Sequence, residues 1–85
     1  MIHHVLEVVP LSDQRLQLRF ETEEVRIFDV TPYLAKGRFG LLADDGLFRS
    51  VRVAFGTVEW PNGLDLDPED LYEFSVPVEP QSVST

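Results

Sequence analysis

The sequence predicts an α+β domain: a small antiparallel β-sheet of about five strands in two hairpin or meander units, with two or three short helices. Three observations carry that expectation. Apolar and polar residues alternate with period two from Leu16 to Phe20 and again from Val51 to Trp60, as they do in strands with one buried and one wet face. The links between the early strands are short, which suits antiparallel pairing rather than a crossover. Helix-start signals occur at Thr31-Pro32, at Asp44-Asp45 and at Asp67-Pro68, and each precedes only a brief apolar run.

Ile2 to Val9 reads as the first strand, ended by the turn cluster Pro10-Leu11-Ser12-Asp13. Leu16, Leu18 and Phe20 then alternate with Gln17 and Arg19 in the second strand. The acidic link Glu21-Thr22-Glu23-Glu24 leads directly into Val25–Val30, so the second and third strands form a hairpin. At Thr31-Pro32 the hydroxyl can accept an orphan backbone N–H, and proline at the first helical position removes no needed donor. Gly37 closes that piece, and Asp44 or Asp45 caps another turn that carries Leu47 and Phe48 inward, giving two brief helical pieces between about residues 32 and 49. Val51, Val53 and Phe55 form one arm of a second hairpin and Val58 and Trp60 the other, with Gly56 between them. Pro61 ends this hairpin, and Asn62-Gly63 supplies the left-handed angles of a tight turn. Asp67-Pro68-Glu69-Asp70 reads as a cap, a first-position proline and acids opposing the helix dipole, starting a helix that carries Leu71 and Tyr72. Residues 1–74 are thus expected to form one domain, and the Ser- and Pro-rich residues 75–85 a flexible tail.

Length and composition bound the possibilities further. With 85 residues, 44% hydrophobic and 11% aromatic, the chain holds one small Phe-rich core. It has no cysteine, so packing rather than disulfides or thiolate metal sites supports the fold, as fits a reducing cytoplasm. No apolar run reaches the length of a bilayer span, and the start of the chain lacks the pattern of a secretion signal, so no membrane association is expected. A net charge of −8 repels nucleic-acid phosphates and favours basic partners, which argues against direct nucleic-acid binding.

The order of Phe28-Asp29-Val30-Thr31-Pro32-Tyr33-Leu34, Gly37-Arg38-Phe39-Gly40-Leu41-Leu42, Leu47-Phe48-Arg49-Ser50-Val51 and Thr57–Pro68 followed by Leu71-Tyr72 resembles the DUF2442 family of bacterial domains of unknown function. The resemblance covers residues 1 to 74, and Trp60-Pro61-Asn62-Gly63, Asp65-Leu66 and Pro68 carry its most specific part. It implies a small α+β domain with an antiparallel sheet, no established activity, and a setting sometimes associated with transcription or with toxin and antitoxin genes. Members often have glycine where this chain has Glu23 and Glu24 in the hairpin turn, and the helix-turn-helix extension of some members is missing here.

Candidate chemistry is sparse. Asp65, Asp67, Glu69 and Asp70 are hard oxygen donors of the kind magnesium or calcium prefers, but their spacing lacks the alternation and mid-loop glycine of a calcium loop, and Pro68 interrupts it. Helix capping explains these acids better than a metal or an acid–base pair does. His3 and His4 are adjacent in a strand and point to opposite faces, which prevents joint chelation. Gly37-Arg38-Phe39-Gly40 lacks the lysine and helix start of a phosphate loop. Trp60 is either a core anchor or an exposed contact; sharing a strand face with Val58 favours the core. Exposed beside Tyr33 and Tyr72, it would centre an aromatic contact spot. The candidate binding set is therefore Tyr33, Trp60, Asn62, Asp65 and Tyr72, with no catalytic residue, metal or cofactor assigned. The expected role is a noncatalytic module that binds a protein partner or a second copy of itself. The alternative is a small metal-dependent or acid–base enzyme built on Asp65, Asp67 and Tyr72.

Overall fold

The structure, a computed structural model, describes residues 3–78. Its strands are β1 (Val5–Leu11), β2 (Arg15–Phe20), β3 (Val25–Asp29), β4 (Arg52–Ala54), β5 (Thr57–Glu59) and β6 (Val76–Pro77). One antiparallel sheet has the order β1-β2-β3-β6, and β4 and β5 form a separate hairpin. Helix α1 spans Asp45–Phe48 and α2 spans Pro68–Glu73. The α+β class, the meander and the second hairpin stand as the sequence predicts.

Several local expectations need correction. The first strand continues through Pro10 to Leu11 instead of ending at Val9. The segment expected to hold two helical pieces contains 3₁₀ stretches at Thr31–Ala35 and Gly37–Ala43, followed by α1. Gly37, at φ +53°, separates the first two, and extended Asp44 (ψ 119°) separates the third. Thr31 is not a side-chain cap. Asp29 Oδ1 instead accepts the Thr31 N–H at 2.9 Å, a short-range turn bond that an Asp two residues upstream makes readily. Of the stretch expected as a tail, Ser75 is buried and Val76–Pro77 pairs with β3; residues 79–85, like Met1 and Ile2, lie outside the described residues.

Hydrogen-bond alternation fixes which way each backbone group faces. Phe20 N–H donates to Glu24 C=O and Val30 N–H to Gln14 C=O, so the even-numbered residues of β3 bond toward β2. Val78 N–H donates to Val25 C=O, so the odd-numbered ones bond toward β6. By the same parity Val9 and Leu11 bond to β2, and the nitrogen of Pro10 faces the outer edge of β1, where its missing N–H breaks no ladder bond. Pro77, opposite Arg26, likewise faces away from β3. Both outer edges of the sheet are therefore blunted by a proline.

The two faces of the sheet differ sharply. Val5, Leu16, Leu18, Phe20, Phe28 and Val30 point into a core completed by Leu42, Phe48, Val58, Trp60, Leu64, Leu66 and Leu71 from the helical segments, the second hairpin and the loop that follows it. Among the described residues, no layer covers the opposite face. Val9, Gln17, Ile27 and Val76 form one register row there, and Val25 lies in the next, with Val9 and Val76 exposed and the others half-buried.

Candidate functional site

The corner built around Trp60 is structural. Trp60 is fully buried, and its Nε1–H donates to the Phe48 carbonyl at 3.0 Å. Gly63 (φ +90°) closes the reversal: its N–H donates to Trp60 C=O, and Trp60 N–H donates to Leu64 C=O. Asn62 Oδ1 accepts the Leu64 N–H at 3.2 Å, while its Nδ2 is buried without a hydrogen-bond partner among the described residues. Asp65 is exposed and bridges to Glu59 through the backbone. Asp67 caps α2 by accepting the Glu69 N–H at 2.8 Å. Trp60 is thus no surface contact, and Asp67 acts as the cap that the sequence favours.

Tyr72 occupies a different place. Its ring stacks on His3 at 3.7 Å, meets Phe20 edge-on at 5.3 Å, and carries the Arg26 guanidinium at 4.3 Å. Arg26 in turn donates to the Ser75 hydroxyl and carbonyl, which ties the end of α2 to β3. His3 Nδ1 lies 3.1 Å from Glu69, whose carboxylate also accepts the His3 N–H at 2.8 Å. This contact holds the Glu69 carboxyl below the usual carboxylate range, while the Glu24 carboxylate beside Tyr72 raises its phenol above the ordinary value. His4 instead faces Gly56 and Glu21; the two histidines part, but they precede β1, which begins at Val5, rather than lying in the strand that the sequence predicts for them. The cluster docks α2 and the start of the chain on the sheet.

The end of the β3 edge presents several uncommitted groups together. Strand β6 reaches Ile27 and stops, so the outward N–H and C=O of Asp29 have no backbone partner among the described residues. Two open cavities flank this position. One, about 420 Å³, is lined by Phe28, Asp29, Pro32, Tyr33, Lys36 and Phe74. The other, about 370 Å³, is lined by Arg15, Ile27, Asp29, Phe74, Val76 and Pro77. Asp29 and Phe74 belong to both. Phe74 is 63% exposed and Val76 64%, so the apolar rim is open to water. Burial raises the Tyr33 phenol above its ordinary pKa, with the Asp70 charge adding to the effect. Lys36 Nζ sits 5.0 Å from the Tyr33 ring centre and has no ion-pair partner among the described residues.

Of the residues singled out in the sequence, only Tyr33 lines these cavities. Tyr33, Trp60 and Tyr72 do not meet as a patch. Tyr33 packs on Phe28 and Phe39, Trp60 on Phe48, and Tyr72 on His3 and Phe20. Asp65, Asp67 and Tyr72 line neither cavity, and no trio of His, Asp or Glu among the described residues is placed to hold a metal ion. Sequence reasoning missed Asp29, Lys36 and Phe74. The alternation of Phe74, Val76 and Val78 with Ser75 and Pro77 is a period-two signal, masked by the prolines beside it. Phe55 was also missed: at the tip of the second hairpin it is 98% exposed with φ +54°.

Fold and site together define a small α+β domain in which, among the described residues, an open sheet edge lies beside an uncovered sheet face. The chain belongs to the family described as protein of unknown function (DUF2442), whose model matches residues 5–77. That match runs from the first residue of β1 to the last of β6. No curated protein and no solved structure matches the chain. Among the described residues no helix is long and apolar enough to cross a membrane.

Proposed function

We propose that this chain is a noncatalytic protein-interaction module, of the regulatory kind that the family resemblance suggests, acting in the bacterial cytoplasm. A single observation carries the reading: one end of the sheet presents Phe74, Val76, Ile27 and Tyr33 around backbone groups of Asp29 that are unbonded among the described residues. Apolar side chains in contact with water, next to unbonded edge groups, favour association with another polypeptide. The lack of cysteine suits a reducing compartment, and the net charge of −8 disfavours a nucleic-acid partner.

The test has two arms. Sedimentation equilibrium reads self-association, and selection from a displayed library of random peptides reads binding of other chains. The expected result is self-association, or a set of selected peptides, in either case abolished by the double substitution Phe74→Ser with Val76→Thr while the fold is retained. A protein that stays monomeric and yields no binder sensitive to those substitutions contradicts the reading. The enzyme alternative, which would need Asp65, Asp67 and Tyr72 around one substrate, has no structural observation in its favour.

A further inference from the structure

Resting on the interaction reading above, we propose that the open end of the β3 edge takes up an extended peptide strand carrying two consecutive apolar side chains flanked by basic residues. Asp29 supplies the pairing groups. Its N–H and C=O point out of the sheet in line with β6, which stops two residues short, and an extended chain laid there would exchange both hydrogen bonds with it. Neighbouring residues of such a chain point to opposite faces. The two cavities match that geometry. The cavity containing Phe28 and Tyr33 opens on the covered side of the sheet, and the one containing Ile27, Arg15 and Val76 opens on the bare side. They meet at Asp29 and Phe74, so adjacent side chains of one bound strand enter one cavity each.

The chemistry of the walls sets the composition of that strand. Phe28, Pro32, Tyr33 and Phe74 line one cavity, and Ile27, Phe74, Val76 and Pro77 the other, so each favours an apolar side chain. Charge complementarity sets the flanks. Asp29 has no cationic partner among the described residues, Asp70 acts on Tyr33, Glu73 adjoins Phe74, and the whole chain carries −8. Of the nearby cations, Arg15 is drawn toward Asp13 at 3.9 Å and the Ser12 carbonyl at 3.5 Å, and Lys36 lies over the Tyr33 ring. Basic flanks are therefore steered to this edge and acidic ones repelled.

The experiment titrates the intact chain, followed by amide NMR and calorimetry, with the synthetic peptide Lys-Lys-Thr-Val-Leu-Thr-Lys-Lys, blocked at both ends. A second peptide separates Val and Leu by one Thr, which puts both side chains on one face, and a third replaces every Lys by Glu. The expected result is saturable binding of the first peptide with slowed exchange of the Asp29 amide. The spaced and acidic peptides, and the first peptide against Phe74→Ser, should each bind at least about tenfold more weakly. Asp29→Asn, which keeps the backbone groups, should retain binding but reduce its sensitivity to salt. Binding indifferent to spacing, or no change at Asp29, overturns the strand inference. If the first peptide fails to bind while the library or self-association arm above succeeds, this inference falls and the interaction reading stands; failure of all arms removes both.

Discussion

The Trp60 corner and the Asp29 edge lie at opposite extremes of the same small domain. At the corner, the Trp60 indole, its backbone N–H and C=O, and the Asp67 carboxylate all bond within the chain, and the ring itself is fully buried. At the edge, the Asp29 N–H and C=O are unbonded among the described residues, and Phe74 and Val76 are exposed beside two cavities. Groups already paired inside a fold hold it together, whereas unpaired groups next to exposed apolar surface remain available to a second chain. The most conspicuous residues of the sequence therefore serve structure, and less conspicuous ones line the proposed binding surface.

Removing the corner should have the largest effect. Trp60→Ala empties a fully buried site and is expected to cost about 3–5 kcal/mol, a large part of the stability of an 85-residue domain. Urea denaturation followed by circular dichroism measures it; a loss below about 1 kcal/mol, typical of an exposed site, would dissolve the contrast between the two regions.

The next effect has the opposite sign. Phe55 and Gly56 take left-handed angles, φ +54° and +78°, in the two-residue turn between β4 and β5, a geometry that Asn-Gly adopts without strain. Phe55→Asn should stabilise the fold by about 1 kcal/mol, raising the urea midpoint. Glu23→Gly, at φ +73° in the β2–β3 turn, should act in the same direction at similar size. Unchanged or lowered midpoints would show that these turns are not strained.

Substitution at the edge should leave stability nearly untouched. Phe74→Ser is expected to move the unfolding free energy by no more than about 0.5 kcal/mol while removing binding, because the ring is mostly in water. A large loss of stability would make Phe74 part of the core and erase the distinction.

The smallest effects are electrostatic. The Glu69 carboxyl is depressed by its contacts with His3, so the folded state binds its proton less tightly than the unfolded one. The resulting stabilisation is present above the unfolded value, about 4.3, and is lost as pH falls through the lower folded value. Glu69→Gln should flatten that acid limb without altering the peptide affinity of the edge. For Tyr33 the sign reverses: its raised pKa stabilises below the unfolded value of about 10 and is lost as pH climbs through the folded one. An ultraviolet titration compared with Tyr33→Phe checks it; a Tyr33 midpoint at or below the ordinary tyrosine range contradicts the burial of this ring.

The sequence reveals the fold wherever a local rule suffices. Alternation in Leu16–Phe20 marks β2, Asp67-Pro68 marks the start of α2, and Asn62-Gly63 marks the reversal after Trp60, because each is decided by neighbours in the chain. Pro10 and Pro77 mislead for the same reason. A proline breaks a ladder only if its nitrogen faces a partner strand, and that direction depends on which strands pair. The proposed binding surface is less legible still. Asp29, Tyr33 and Phe74 are brought together by the return of β6 onto β3, a contact across more than forty residues, and nothing within a short window reports it. Tyr33 was legible as an aromatic of interest, whereas its neighbours in the cavity were not.

Amide hydrogen exchange along β3 in the unliganded chain tests the central contrast most directly. The Val30 N–H, bonded to Gln14, and the Val78 N–H, bonded to Val25, should exchange slowly, while the Asp29 N–H between those two ladders exchanges close to the rate of an unstructured peptide. Protection of Asp29 equal to that of Val30 would mean that the edge is already occupied by the chain itself, and the binding surface described above would not exist.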